Sequence, residues 1–270
     1  MKKALLSVED LSCGYGKELI IHDMDFMVSR GELMCIIGPN GSGKSTLLRT
    51  ISRILKPHRG KIFLDGENIA RMRHKEFAQK IAVVSQTLEV TGMTVQEYIL
   101  LGRLPYFRKY QFFETNNDED IVQKYMELTD ALKLKETLMS EISGGERQLA
   151  SIARALTQEP ALLLLDEPTS HLDITHQVHI LELIKRLNRE LGLTVLMVLH
   201  DLNLASEYSS RLLLLNNGSI HKIGRPEEVI TYKTIEEVYE TVVLVEQNPL
   251  SGKPCVFLVT EEEMRKEKTV

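Results

Sequence analysis

Gly38-Pro39-Asn40-Gly41-Ser42-Gly43-Lys44-Ser45-Thr46 is the stretch on which the reading of this 270-residue chain turns. Its glycines leave successive backbone N–H groups free to turn inward around phosphate oxygens. Lys44 brings a point charge to the β- and γ-phosphates, and the Ser45 hydroxyl suits a magnesium ion. The flanks agree with this. Leu33-Met34-Cys35-Ile36-Ile37 is a continuous apolar run of strand type, and residues 45–51 follow with helical character. A helix starting there aims the positive end of its dipole at bound anions. The stretch predicts a nucleotide site at the junction of a buried strand and a helix, which is an α/β arrangement.

Three further apolar runs deliver polar residues at their ends, where ligands gather in open parallel sheets. Ile81-Ala82-Val83-Val84 leads to Gln86, whose amide either reaches a magnesium ion or an attacking water, or caps a loop. Leu162-Leu163-Leu164-Leu165 is too apolar for a half-exposed strand and delivers Asp166 and Glu167. Two adjacent acids in such a place are costly unless used. Asp166 suits the oxygen shell of magnesium, and Glu167 suits the general base for water attacking a γ-phosphate. The run 193–199 ends in His200-Asp201, and a histidine there can hydrogen-bond a γ-phosphate and the attacking water. His171 and His176 share the residue type without the position.

Before the phosphate-binding stretch, residues 5–9 and 20–28 read as strands of a small antiparallel sheet. Tyr15 lies between them, flanked by Gly14 and Gly16 on an expected loop. It is either a ring that stacks on adenine or a turn tyrosine. Residues 61–64 read as a strand ended by the hairpin-type turn Asp65-Gly66. From about residue 87 to 140 the character becomes helical, with helices expected over 95–101 and 118–132 and an aromatic, basic connection between them. In that connection Leu104, Tyr106, Phe107, Arg108 and Tyr110 form either a contact surface or packing beneath a loop. Ser143, Gly144 and Gly145 then offer a hydroxyl and two unhindered amides at another helix start, with the helix read over 149–156. Two phosphate-seeking helix starts imply two ligands, or one ligand held between two chains. Asn216-Asn217-Gly218 is a hairpin signal. The tail holds a short acidic helix near 235–239, an apolar run at 256–259 and a charged end at 261–268, and none of it carries recognisable chemistry.

Composition limits the alternatives. The chain is 43% hydrophobic and 26% charged, with a formal charge of -5 that gives no bulk attraction to nucleic acid. Cys13, Cys35 and Cys255 are scattered, which favours a reducing compartment over a disulfide framework or a metal site. No apolar stretch approaches the length of a membrane span, and the first residues contain no apolar secretion segment. The expectation is a cytoplasmic protein that reaches a membrane only through a partner.

Taken in order, the phosphate loop, Gln86, Ser143-Gly144-Gly145, Asp166-Glu167, Ser170-His171-Leu172-Asp173 and His200 resemble the motif series of ATP-binding subunits of ABC transporters, over nearly the whole chain. The resemblance implies a P-loop NTPase (RecA-like) α/β core with an N-terminal antiparallel β-subdomain and an inserted α-helical subdomain. The implied division places the core in 1–86 and 157–225, the helical subdomain in 87–156 and a tail in 226–270. It also implies ATP and Mg²⁺ as ligands and a head-to-tail dimer of two copies, with ATP between the phosphate loop of one and residues 143–145 of the other. Under it Tyr15 stacks on adenine, and residues 38–46 hold the phosphates. Ser45, Gln86 and Asp166 serve magnesium, and Lys44, Gln86, Glu167 and His200 serve catalysis. Asp173 speaks across the dimer.

A narrower likeness joins the chain to importers of iron(III)-siderophores, haem and cobalamin. It rests on Leu101-Gly102-Arg103-Leu104-Pro105-Tyr106, on Leu172-Asp173-Ile174-Thr175-His176-Gln177, on residues 200–205 and on Asn248-Pro249-Leu250-Ser251-Gly252-Lys253-Pro254. That likeness implies multi-span membrane permease subunits as partners, a solute-binding protein indirectly, and a place on the inner face of the membrane. Ile142 and Glu146 depart from the Leu and Gln usual in the signature. A soluble ABC ATPase serving as an assembly scaffold shares every nucleotide motif, and an exporter subunit is a third reading.

Overall fold

The computed structural model describes residues 3–86, 92–108, 111 and 114–260. Tyr110 and the charged end 261–268 lie outside the described residues. In chain order the strands are β1 (Ala4–Tyr15), β2 (Glu18–Ser29), β3 (Leu33–Ile37), β4 (Arg59–Leu64), β5 (Glu67–Asn68), β6 (Ile81–Val84), β7 (Leu162–Asp166), β8 (Thr194–Val198), β9 (Arg211–Asn216), β10 (Ser219–Gly224), β11 (Val243–Gln247) and β12 (Pro254–Leu258). The α-helices are α1 (Lys44–Ile51), α2 (His74–Lys80), α3 (Val95–Leu100), α4 (Asn116–Leu128), α5 (Gly144–Leu156), α6 (Ile174–Leu191), α7 (Leu202–Tyr208), α8 (Pro226–Val229) and α9 (Tyr232–Tyr239).

The central sheet has the order β10-β9-β3-β8-β7-β6, parallel except for β10. Its inner strands carry continuous apolar runs, broken only at strand ends by Thr194, Asp166, Arg211 and Asn216, because both faces are covered. Side chains alternate along β3: Cys35 and Ile37 enter a core with α5 and α6, whereas Met34 and Ile36 enter one with α1 and the antiparallel sheet. That second sheet has the order β2-β1-β4-β5. A third core, among α3, α4 and α5, holds Val95, Ile99, Val122, Met126 and Ala150. α5 serves two cores, since its Leu149, Ile152 and Leu156 pack toward the central sheet. Among the described residues no helix is long and apolar enough to cross a membrane.

Several elements differ from the sequence reading. β1 continues to Tyr15, past a register shift between Val8 and Leu11 where Asp10 adopts φ 52°. This bulge hides the second half of the strand, so Tyr15 ends a strand where a loop is expected. α4 ends at Leu128, four residues early, and its cap is Thr115, whose hydroxyl accepts from the Asp118 N–H. α5 begins at Gly144, well before the expected start. α6, with 18 residues, is not foreseen at all. The hairpin at Asn217-Gly218 is as expected, with both residues at positive φ, 46° and 74°.

Candidate active site

Parallel pairing of β3 with β8, β8 with β7, and β7 with β6 brings the carboxyl ends of these four strands side by side. The loops that leave those ends carry residues 38–46, Gln86, Glu167 and His200. A cleft of about 410 Å³ results, lined by Tyr15, Asn40, Gly41, Gly43, Lys44, Ser45, Thr46, Gln86, Glu167 and His200 together with Ile20.

The loop before α1 is built to be close to other backbone. Gly38 has φ 148°, and a Cβ there would strike the Leu215 carbonyl oxygen and the Ser42 hydroxyl. Ser42 Oγ is buried without a hydrogen-bond partner among the described residues, an orphan inside a phosphate-type cradle. Lys44 is 6% exposed, and its Nζ donates to the carbonyls of Gly38 and Pro39, both at 2.8 Å. Burial pushes the Lys44 ammonium below its ordinary range, and the charges of Glu167 and Asp166 pull it back.

Ser45 Oγ donates to Asp166 Oδ1 at 3.3 Å. Burial raises the Asp166 carboxyl above the usual carboxylate range, and the charge of Glu167 adds to the effect. A cation beside Asp166 would relieve both causes. One hydroxyl and one carboxylate, with space for water and phosphate oxygens, is the kind of sparse donor set that suits magnesium. The described residues contain no cluster of three or more His, Cys, Asp or Glu able to hold a metal by themselves.

Glu167 adopts φ 51°, a left-handed conformation unusual for a side chain of this size, and its side chain is 12% exposed. Two donors grip its carboxylate. Gln86 Nε2 donates to Oε2 at 2.6 Å, and His200 Nε2 donates to Oε1 at 2.5 Å. A carboxylate oriented from both sides, beside a phosphate cradle, can take a proton from a water placed between them.

Ser143, Gly144, Gly145 and Asp173 do not line this cleft. They form a second group. Ser143 caps α5, its hydroxyl accepting from the Glu146 N–H at 3.3 Å. In return Glu146 Oε2 accepts from the Ser143 N–H at 2.9 Å and its hydroxyl at 2.8 Å. These bonds from Ser143 hold the Glu146 carboxyl below its usual range. Gly145 sits against the His176 ring, which a Cβ would strike. Asp173 caps α6, accepting from the His176 N–H at 2.9 Å and meeting its Nδ1 at the same distance. The expected site residues therefore stand in two separate groups on one chain.

Sequence reading missed Ile20 in the cleft and Arg49, whose Nη1 donates to the Tyr15 hydroxyl at 3.0 Å. Tyr15 is itself 47% exposed. In the aromatic connection, Leu104 and Arg108 are exposed. Tyr106, by contrast, lies over the Arg103 guanidinium at 3.9 Å and donates to the Gln158 carbonyl at 2.8 Å. Tyr106 is thus packing, not free surface.

Residues 21–170 match the family model described as ABC transporter. The chain is 42% identical to the ferric enterobactin transport ATP-binding protein FepC of Escherichia coli (strain K12), over 94% of this chain and 93% of that protein. It is 40% identical to the probable siderophore transport system ATP-binding protein YusV of Bacillus subtilis (strain 168), over 95% and 94%. Among solved structures it resembles a transporter assigned to the metal-chelate ABC type, in an inward-facing conformation, with TM-score 0.85 and 27% identity over 97% of this chain and 100% of that one. The dimeric cassette MJ0796 bound to ADP and Pi superposes with TM-score 0.70 at 27% identity, over 82% of this chain and 98% of the other. Motif order, the geometry of the cleft and these likenesses converge, and the chain belongs to the ABC transporter family as an ATP-binding, ATP-hydrolysing cassette.

Proposed function

We propose that this chain powers an importer of metal chelates of the iron-siderophore kind, as a peripheral subunit held to the inner face of a membrane by multi-span permease subunits. Two copies bind head to tail, and each ATP lies between residues 38–46 of one copy and residues 143–145 of the other. Support for the division into core (1–86 and 157–225), helical part (87–156) and tail (226–270) comes from the separate core formed by α3, α4 and α5.

The observation that carries the hydrolytic reading is the grip of Gln86 and His200 on Glu167 beside the phosphate loop. The loop amides and Lys44 hold the β- and γ-phosphates, and Tyr15 stacks on the base. Ser45 and Asp166, with Gln86, hold magnesium, which when bound neutralises charge on the phosphate oxygens. Glu167 accepts a proton from the attacking water as the bond from oxygen to the γ-phosphorus forms and ADP leaves. His200 bonds the γ-phosphate. Closure of the dimer on ATP and its release after hydrolysis bias the attached permease between two states.

Purification of the tagged chain from detergent-solubilised membranes, followed by mass spectrometry, tests the transport reading. An apolar multi-span protein is expected to accompany it. A soluble partner alone would favour the scaffold reading.

A further inference from the structure

The tail shows no chemistry in its sequence, yet it binds the segment that carries His200. α7 has seven residues and starts at the cap Asp201, directly after His200. A helix of two turns is marginal by itself, since isolated helices need about 12–15 residues to persist. Its position is set by what holds it. One side, with Ala205 and Tyr208, packs into the core that also contains Cys35 and Leu199. The other side is bound to the hairpin of β11 and β12. The Asn203 amide takes both backbone groups of Val256, donating to its carbonyl at 3.1 Å and accepting from its N–H at 2.7 Å. Ser206, 1% exposed, donates to the Pro254 carbonyl at 2.7 Å.

Lys253 makes the strongest link. Its Nζ donates to the carbonyls of Ser206, Glu207 and Ser209 at 2.9, 2.8 and 3.1 Å. All three ammonium donors are thereby placed at the negative end of α7. Burial pushes the Lys253 ammonium down, and the Glu207 charge pulls it back up. Nearby, Ser251 Oγ donates to Glu207 Oε2 at 2.7 Å. A second thread runs to the phosphate loop. Tyr239 at the end of α9 packs against the same core, and a backbone hydrogen bond at Gly38 partly offsets the upward push that burial gives its phenol.

We propose that the C-terminal hairpin is a positioning element for His200: through Lys253, Asn203 and Ser206 it fixes α7 and hence the histidine that grips Glu167. This rests on the proposed role of His200 and extends it to residues far along the chain. Lys253 and Asn203 do not line the nucleotide cleft, so their effect reaches turnover only through α7.

The test uses the full chain with Lys253→Met and Asn203→Ala. Turnover is expected to fall about tenfold, with KM for ATP within about twofold of wild type. The ring resonances of His200, assigned by their loss in His200→Ala, shift in both variants, and Lys253→Arg restores most of the turnover. Wild-type turnover in both variants overturns the inference. So does a loss of turnover with unmoved His200 resonances, which would mark a merely structural tail. Full turnover in His200→Ala would instead remove the site reading on which the inference stands.

Discussion

Glu146 and Asp166 show how single residues divide fold from function. The Glu146 carboxylate occupies the amide and hydroxyl of Ser143, the groups that a partner's γ-phosphate is proposed to use. A fixed negative charge at that helix start opposes a second anion. Glu146→Gln keeps the capping box while removing the charge. ATP-dependent dimerisation of that variant is expected at roughly fivefold lower ATP concentration, measured by titration with light scattering. Asp166 stands in the opposite position, destabilising the empty site because it is buried beside Glu167. A carboxyl raised above its unfolded pKa costs stability while ionised, and the cost fades as pH falls below the folded pKa. Asp166→Asn should therefore raise the thermal midpoint of the nucleotide-free chain at pH 7. It should also abolish the extra stabilisation that magnesium adds to ATP, and lower turnover by on the order of 100-fold or more. Calorimetry with and without magnesium reads both signs.

At the scale of elements, the helical part is locked by Arg103. Its side chain is 4% exposed and donates to Asp118 at 2.9 Å, to the Thr157 carbonyl at 2.8 Å and to Glu159 at 3.1 Å. This ties the residues after α3 to the start of α4 and the end of α5. Lys75 and Gln79 of α2 add bonds to the carbonyls of Phe107 and Pro105, at 2.7 and 2.9 Å. Removing one partner of a buried pair strands the other charge, so Arg103→Ala is expected to cost roughly 3–5 kcal/mol in urea unfolding. Burial alone would raise the Asp118 carboxyl, but bonds from Thr115 and Arg103 outweigh it and hold the carboxyl low. A depressed folded pKa gives stability that is complete above the unfolded value and lost below it. The gap between wild type and variant should thus narrow only below about pH 4.

The same scale explains what the sequence made legible. The β3, β6, β7 and β8 strands announce themselves because burial on both faces leaves continuous apolar runs. The halves of β1 do not, because the bulge at Asp10 interrupts their alternation. α6 left a readable signal in Ile180, Leu181, Ile184 and Leu187, between the cap Asp173 and Gly192 at φ 64°. Asp173 is the residue type both of an N-cap and of a reactive acid, and the structure shows it as the cap of α6. The link from Lys253 to α7 was not readable, because nothing local couples a tail lysine to carbonyls more than 40 residues away.

For the whole molecule, the decisive feature is that the expected site residues fall into two separate groups. The phosphate loop, Glu167 and His200 share one cleft, and the Ser143 cap and Asp173 lie outside it. The residues at 38–46 and 143–145 alone suggest two phosphate-seeking helix starts. That Gln86, Glu167 and His200 converge depends on strand pairing between distant segments, such as Leu33 with Val195 and Asp166 with Val198. Such pairings arise from nonlocal packing and leave no mark in sequence spacing. On the proposed head-to-tail arrangement two copies complete each other's sites, so ATP binding, dimerisation and hydrolysis are expected to form one linked sequence.

Glu167→Gln tests that sequence most directly, because it removes the proposed base while preserving the hydrogen-bonding shape. Light scattering on a sizing column in magnesium-ATP, with phosphate release measured in parallel, reads both halves of the claim. A stable ATP-bound dimer is expected, with turnover reduced by about 100-fold or more. Wild-type turnover, or an ATP-loaded chain that stays monomeric, would contradict the claim.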